Sequence, residues 1–275
     1  MKHIINNIKR ILPEPVKRIL RQFLRTNIQS LTATNFQPYL KAKNVEGVAF
    51  DFWIMDRSAR DWYDLQCADP IWIEMRFMRD YMLRKGDIVF ECGGHHGCTA
   101  IVMSHWVGDT GKVITFEALP RNCDIIAENI KQNKLQNISL VRKAVGDKKG
   151  VVSINDASNS SIVIAGKGLT VEMTCLDAYA SLNPSFLKID VEGFELNVLK
   201  GAAKILAKRP KLAIEIHVET LWQYGASVEE LFSLINPKEY KFWVQWEDSE
   251  QPEEYDMHIP IKKRVHLFAL PVNPI

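Results

Sequence analysis

The stretch Asp87-Ile-Val-Phe-Glu-Cys-Gly-Gly-His-His-Gly-Cys-Thr-Ala100 constrains the fold more than any other part of the chain. Strand-forming residues end in an acid, three glycines break the pattern, and a helix-like segment follows. From there strand and helix patterns alternate, the mark of a parallel sheet covered on both faces. Strands are predicted near residues 88–91, 112–116, 138–143, 186–190, 212–216, 240–245 and 265–270. Helices are predicted over 70–83, 97–107, 120–134, 194–207 and 227–236, with a short hairpin, 151–154 and 170–174, inserted after the third strand. The last two strands are joined by 247–264, which leaves no room for a crossover helix, so they should run antiparallel. The expected architecture is a Rossmann-like α/β fold with a mostly parallel seven-stranded sheet whose last strand is reversed.

Residues 87–275 form the expected ligand-binding domain. Residues 30–86 form a strand and helix segment that should pack on that core, irregular over 30–60 apart from strand-like pieces such as 48–54. Residues 1–29 form a separate helical extension. Apolar residues recur at helical spacing from Ile4 to Leu12 and again from Val16 to Leu24, interrupted by Pro13 and Pro15. Seven basic residues against the single acid Glu14 make this amphipathic pair strongly basic. Such a surface suits peripheral contact with an anionic membrane or pairing with a second copy of the chain, and the plainer expectation is packing on the domain.

The 275 residues carry a formal net charge of only +2, which argues against nucleic acid as a partner. Cys67, Cys92, Cys98, Cys123 and Cys175 fall in neither a disulfide framework nor a zinc-ligand spacing, which fits a reducing cytoplasm. No apolar run approaches the ~18–20 residues needed to span a bilayer, and the N-terminus lacks the features of a secretory signal. The expected location is cytoplasmic, at most peripheral to a membrane.

In an open α/β sheet a ligand sits outside the carboxyl ends of the strands. Gly93 and Gly94 let it approach the backbone closely, and Gly97 allows tight packing where the helix starts. The spacing departs from the G-x-G-x-x-G pyrophosphate fingerprint. Glu91 at the end of the first strand would repel a pyrophosphate but attract a sulfonium and an α-amino group. Glu117, 24 residues after Gly93, stands where a carboxylate would accept hydrogen bonds from ribose hydroxyls. Together these features favour S-adenosylmethionine over a nicotinamide dinucleotide. Ala144 and Val145, after the third strand, offer apolar and backbone contact for adenine.

Glu91-Cys-Gly-Gly-His-His-Gly97, Phe116-Glu-Ala-Leu-Pro120, Arg142-Lys-Ala-Val-Gly-Asp147, Thr174-Cys-Leu-Asp177 and Phe186-Leu-Lys-Ile-Asp-Val-Glu-Gly-Phe-Glu195 resemble, in order and spacing, the FkbM family of methyltransferases. The similarity continues through Val198-Leu-Lys-Gly-Ala202 and Leu212-Ala-Ile-Glu-Ile-His217, and Lys-Ile-Asp-Val-Glu-Gly is its most specific part. The resemblance implies the class I methyltransferase fold and O-methylation, often of sugar or polyketide hydroxyls, with S-adenosylmethionine. At the first motif the family commonly has Asp-Val-Gly-Ala-Asn-x-Gly, so here a longer acid replaces Asp and His95 replaces a small Asn. The paired histidines have no supporting carboxylate or cysteine at ligand spacing, so no metal is expected.

Methyl transfer to a hydroxyl requires the oxygen to be positioned and its proton removed. The candidates lie at the ends of strands four and five. Period-2 alternation puts Glu215 and His217 on one side of strand five, and His217, with an ordinary pKa of about 6.5, is the expected general base. Asp190 could instead be the base or orient substrate. Glu192 opens a helix, where an acid also serves the helix dipole. Asn159, Ser160 and Ser161 in the insertion, Glu215, and Trp246 and Tyr255 flanking the acidic 247–256 loop are the expected contacts to a small-molecule or saccharide substrate. An N-methyltransferase, a nicotinamide oxidoreductase and a catalytically silent binding module remain alternatives at this point.

Overall fold

The structure is a computed structural model that describes residues 36–65, 73–164, 168–246 and 251–272. The basic extension expected over 1–29 lies outside the described residues. The chain opens with a hairpin of β1 (Tyr39–Val45) and β2 (Val48–Ile54). Next come β3 (Ile88–Cys92), β4 (Lys112–Phe116) and β5 (Ile138–Val141), then an insertion of β6 (Ala144–Val145), β7 (Gly150–Ile154) and β8 (Leu169–Thr174). The remaining strands are β9 (Phe186–Ile189), β10 (Lys211–Ile216), β11 (Tyr240–Trp246), β12 (Glu253–Tyr255) and β13 (Val265–Pro271). Helices α1 (Arg57–Arg60), α2 (Ile73–Phe77), α3 (Cys98–Val107), α4 (Pro120–Gln132), α5 (Glu195–Lys200), α6 (Ala203–Leu206), α7 (Val218–Leu221) and α8 (Val228–Leu234) fill the connections. Among the described residues, no helix is long and apolar enough to cross a membrane.

The main sheet has the order β12-β11-β13-β10-β9-β3-β4-β5. Neighbouring strands from β5 to β10 run parallel, while β13 is antiparallel to both β10 and β11. The reversed last strand expected from the short final connection is therefore present. The expected count of seven is exceeded by one, because Glu253–Tyr255 folds back and pairs with the free edge of β11. The helix expected over 194–207 is broken at Gly201, where a Cβ would come within 2.0 Å of the Gly146 carbonyl oxygen. The backbone of the insertion passes too close for an uninterrupted helix of ordinary residues.

Alternation along the strands divides the core. Phe90, Cys92, Ile114, Phe116, Leu187, Ile189, Ile214 and Leu267 form one apolar face, covered by α5, α6 and α8. Val89, Val113, Phe186, Ala213 and Phe268 face the other way, toward α2, α3 and the hairpin. On this second face apolar residues occupy only the first half of each strand. Two residues further along stand Thr115, Glu91 and Lys188, in register across β4, β3 and β9, and on β10 Glu215, two residues beyond Ala213, the partner of Lys188.

The segment expected to be irregular forms the β1–β2 hairpin. Its turn residues Glu46 and Gly47 both have positive φ, as a tight type I′ turn requires. Arg76 and Arg79 hold the Glu46 carboxylate at 2.8 and 2.9 Å. Val48, Phe50, Phe52 and Ile54 are buried on alternate positions of β2. Two asparagines one turn apart, one in α4 and one capping its end, satisfy the outer edge of β2. Asn129 accepts from Trp53 N–H, and Asn133 accepts from Asp51 N–H and donates to the Asp51 carbonyl.

Candidate active site

A cavity of about 370 Å³ opens at the carboxyl ends of β3, β4, β9 and β10, within the range that holds a cofactor-sized ligand. The Gly93-Gly94 turn forms one wall. Both amides donate to the Phe116 carbonyl, at 3.0 and 3.1 Å, which folds the turn flat across the end of β4. A Cβ on Gly93 would lie 1.9 Å from the Asp190 carbonyl oxygen, and one on Gly94 would lie 2.3 Å from Thr115 Oγ1. Only glycine permits this close packing against β4 and Asp190, and the turn lines the cavity with its backbone.

Glu117 lines the same wall and is almost fully buried. Its two oxygens accept from the His95 and Leu119 amides, each at 2.8 Å, so the carboxyl group is fixed in place. Burial raises its pKa to about 7 against the opposing pull of those amides. His95 adopts a φ of 49°, unusual for a non-glycine residue. Its Nδ1 lies 2.5 Å from Tyr63 Oη and its Nε2 2.8 Å from Ser158 Oγ, while the ring stacks on His96 at 4.1 Å. Burial, with His96 alongside, lowers the His95 pKa to about 3, so the ring is neutral. His95 thus lines the cavity with both ring nitrogens engaged, joining the segment after α1 to the insertion.

The opposite wall carries a cluster of ionisable groups. Asp190, Glu192 and Glu215 line the cavity with Lys188, and His217 sits behind them. Lys188 Nζ lies 3.3 Å from Asp190 Oδ2. His217 Nδ1 donates to Glu195 Oε1 at 2.8 Å, and Glu195 is fully buried. Nε2 of His217 faces Glu215, Glu192 and Asp190 at 3.5, 3.7 and 4.0 Å. Burial works against charge on the imidazole, but the Glu195 hydrogen bond and the charges of Glu195, Asp190 and Glu215 outweigh it, raising the pKa to about 9. The ordinary value near 6.5, on which the sequence-based choice of base rested, does not apply in these surroundings. Burial also raises Glu215, helped by the Asp190 charge. Asp190 is held low because Lys188, His217 and His266 overcome the penalty of burying it.

Of the other residues expected at the site, Ala144, Val145, Asn159, Ser160 and Ser161 border the cavity. Asn159 reaches Glu192 Oε1 at 3.4 Å, tying the insertion to the cluster. Four residues lie elsewhere. Glu91 is sealed beneath the glycine turn, where Thr99 donates to it, and only Thr99 and Lys188 of that group reach the cavity. Gly97 sits at the start of α3, against Ile126. Trp246 and Tyr255 lie on β11 and β12, at the far edge of the sheet from the cavity, because Glu253–Tyr255 pairs with the outer edge of β11. Residues 247–250 are outside the described residues.

The structure adds Trp62, Tyr63, Glu74, Ser158, Arg264 and His266 to the lining. Trp62, Tyr63 and Glu74 precede the glycine motif in a region without alternating pattern, so no sequence signal points to them. Lys188 was within reach of the sequence, two residues before Asp190 on the same strand face.

The sequence profile of the methyltransferase FkbM domain matches residues 91–246. No curated protein matches the chain. Similar solved structures include methyltransferase FkbM of Methylobacillus flagellatus KT, with 18% identity, TM-score 0.47, and coverage of 69% of this chain but only 45% of that one. An S-adenosylmethionine-dependent O-methyltransferase of Thermotoga maritima has 12% identity and TM-score 0.45, with coverage of 83% and 76%. Aeropyrum pernix fibrillarin, with natively bound S-adenosylmethionine, has 15% identity and TM-score 0.42, with coverage of 68% and 67%. The cavity, with the backbone of the glycine turn and the buried carboxyl group of Glu117 in its wall, has the size and polar groups to take S-adenosylmethionine. With more than half of its length matched by the profile, the chain belongs to the FkbM family of S-adenosylmethionine-dependent methyltransferases.

Proposed function

We propose that the protein methylates a hydroxyl group on a saccharide or a similarly polyhydroxylated small molecule. The observation that carries this is the cluster of Asp190, Glu192 and Glu215 lining the same cavity as the glycine turn, backed by His217, whose Nε2 lies within 4.0 Å of each of the three. A hydroxyl placed between them meets groups able to take its proton. Trp62 and Tyr63 supply aromatic surface beside Asn159, Ser160, Ser161 and Arg264, a mixture suited to the apolar faces and hydroxyl edges of a sugar ring.

Glu117 would hold the ribose and the Gly93-Gly94 backbone the methionine end. Bound there, S-adenosylmethionine supplies a methyl carbon whose bond to sulfur breaks as the acceptor oxygen bonds to it, the electron pair leaving with sulfur. Asp190 is the weakest base of the set, being held ionised by Lys188. Glu215 is raised by burial and lies 3.5 Å from His217 Nε2, so we assign it the acceptor's proton, with His217 held beside it by Glu195.

Labelled-methyl transfer to a panel of saccharides, polyols and amines tests the assignment. Transfer to a hydroxyl acceptor is the expected result, and transfer to amines alone would overturn it. Glu215→Gln should lower kcat by about 10²–10⁴-fold with little change in S-adenosylhomocysteine affinity. Turnover equal to wild type would remove Glu215 from the reaction.

A further inference from the structure

We propose that Asp190, Glu192 and His217 form a site for one divalent cation that takes the acceptor oxygen as a further ligand, a role that rests on the hydroxyl-methylation reading above. The three residues come from the end of β9, the turn after it and the end of β10. One ligand atom from each lies within 4.8 Å of the others. His217 Nε2 is 3.7 Å from Glu192 Oε2 and 4.0 Å from Asp190 Oδ1, beyond hydrogen-bonding reach. Ligand atoms about 2.1 Å from a common ion stay roughly 3.0–4.2 Å apart, so side-chain rotations of about half an ångström would close the set.

The histidine points to a ligand independently of the acids. Its side chain is nine-tenths buried, Nδ1–H is committed to Glu195, and Nε2, whose proton a bound cation would displace to solvent, makes no hydrogen bond while aimed at the carboxylates. Glu195 is in turn fixed by the Gly193 amide at 2.9 Å. A metal-bound histidine characteristically gives its other N–H to a carboxylate, which orients the ring. The remaining oxygens of the acids are also occupied. Asp190 Oδ2 is held by Lys188 and Glu192 Oε1 by Asn159, so each acid has one oxygen left facing the shared space.

Sequence spacing could not reveal this set, because His217 lies on a separate segment that only the fold brings to Asp190 and Glu192. One imidazole nitrogen and two carboxylate oxygens suit Mn²⁺, Fe²⁺ or Zn²⁺ better than an all-oxygen site would. They leave coordination positions open toward the cavity. A hydroxyl bound there would lose its proton more readily, and that proton would pass to Glu215, which the cation does not need as a ligand.

Titration of the full chain with Mn²⁺, followed by calorimetry and by the electron paramagnetic resonance of free Mn²⁺, tests the site without any acceptor. We expect one Mn²⁺ per chain, bound roughly tenfold or more weakly in Glu192→Gln, Asp190→Asn and His217→Ala, and about tenfold more weakly in Glu195→Gln. Glu192→Gln changes a partly exposed side chain, and its metal-free thermal midpoint checks that it remains folded. No binding to the wild type, or binding that survives all these changes, overturns the site. Methyl transfer that is unaffected by a chelator, despite Mn²⁺ binding at these residues, overturns the cation's role in the reaction. If Mn²⁺ binds as expected but no hydroxyl acceptor is methylated, the site stands and the substrate class falls.

Discussion

Burial raises the Glu117 carboxyl to about 7 while its two amide donors hold its position, and this has opposite consequences for folding and for binding. The folded-state pKa lies above the unfolded value of 4.5, so the contribution of Glu117 to stability is greatest at low pH and is lost as pH rises from about 4.5 through 7. Ribose hydroxyls donate to the ionised form, so cofactor binding gains over the same window. S-adenosylhomocysteine affinity should therefore weaken by roughly tenfold per pH unit below about 7 and level off above it. Glu117→Gln should bind more weakly and lose the slope. Calorimetry between about pH 5.5 and 8 measures both, and a flat wild-type profile would remove the ribose role. This residue was legible in the sequence because its spacing from Gly93 follows from strand and helix lengths. Its altered pKa was not, since burial depends on which chains cover it. The same limit applies to His217, whose place at the end of β10 is legible in the sequence while its proton affinity is set by Glu195 and Asp190 from other elements together with the nearby Glu215.

Helix α4 shows how one element carries the hairpin that walls the site. Asn129 accepts from Trp53 N–H on β2 at 2.8 Å and donates to the His96 carbonyl at 2.9 Å, with no exposure to solvent. It therefore links the hairpin to the end of the glycine turn. Asn129→Ala leaves a buried donor and a buried acceptor without partners, which should cost about 2–4 kcal/mol. A shift in the urea midpoint at unchanged slope would measure it, and a loss below about 0.5 kcal/mol would mean that water or local movement replaces both bonds. Asn133 shares the work from a partly exposed position, so its replacement should cost less. Strands β3, β4, β9, β10 and β13 announced themselves through β-branched and aromatic runs between turn signals. Strand β1 did not: Tyr39–Val45 includes two lysines and an asparagine and is a strand because Val48–Ile54 pairs with it. Likewise β12 exists because β11 offers an edge, a partner that no local pattern encodes.

Across the whole molecule, the decisive arrangement is a sheet face that changes character halfway along its strands, from apolar to ionisable. Lys188 stands at its centre, in register with Glu91 on one side and Ala213 on the other, and is nearly fully buried. Burial disfavours its charge, but Asp190, Glu74, Glu91 and Glu215 together more than compensate, and its pKa is raised. The dependence is mutual, because those carboxylates are tolerable in the interior only while the cation is present. Lys188→Met keeps the length of the side chain and removes the charge, so the acids are left with uncompensated burial. Near neutrality this should destabilise the fold by about 3–5 kcal/mol. The acids would then hold protons more tightly in the folded than in the unfolded state. The deficit relative to wild type should therefore shrink as pH falls toward about 5, where protonation removes the charges that Lys188 had balanced. Urea unfolding of both proteins at about pH 5 and pH 7.5 gives the two gaps. A deficit under about 1 kcal/mol at the higher pH, or one that grows on acidification, would show that solvent entering the cavity, and not Lys188, supports the buried acids.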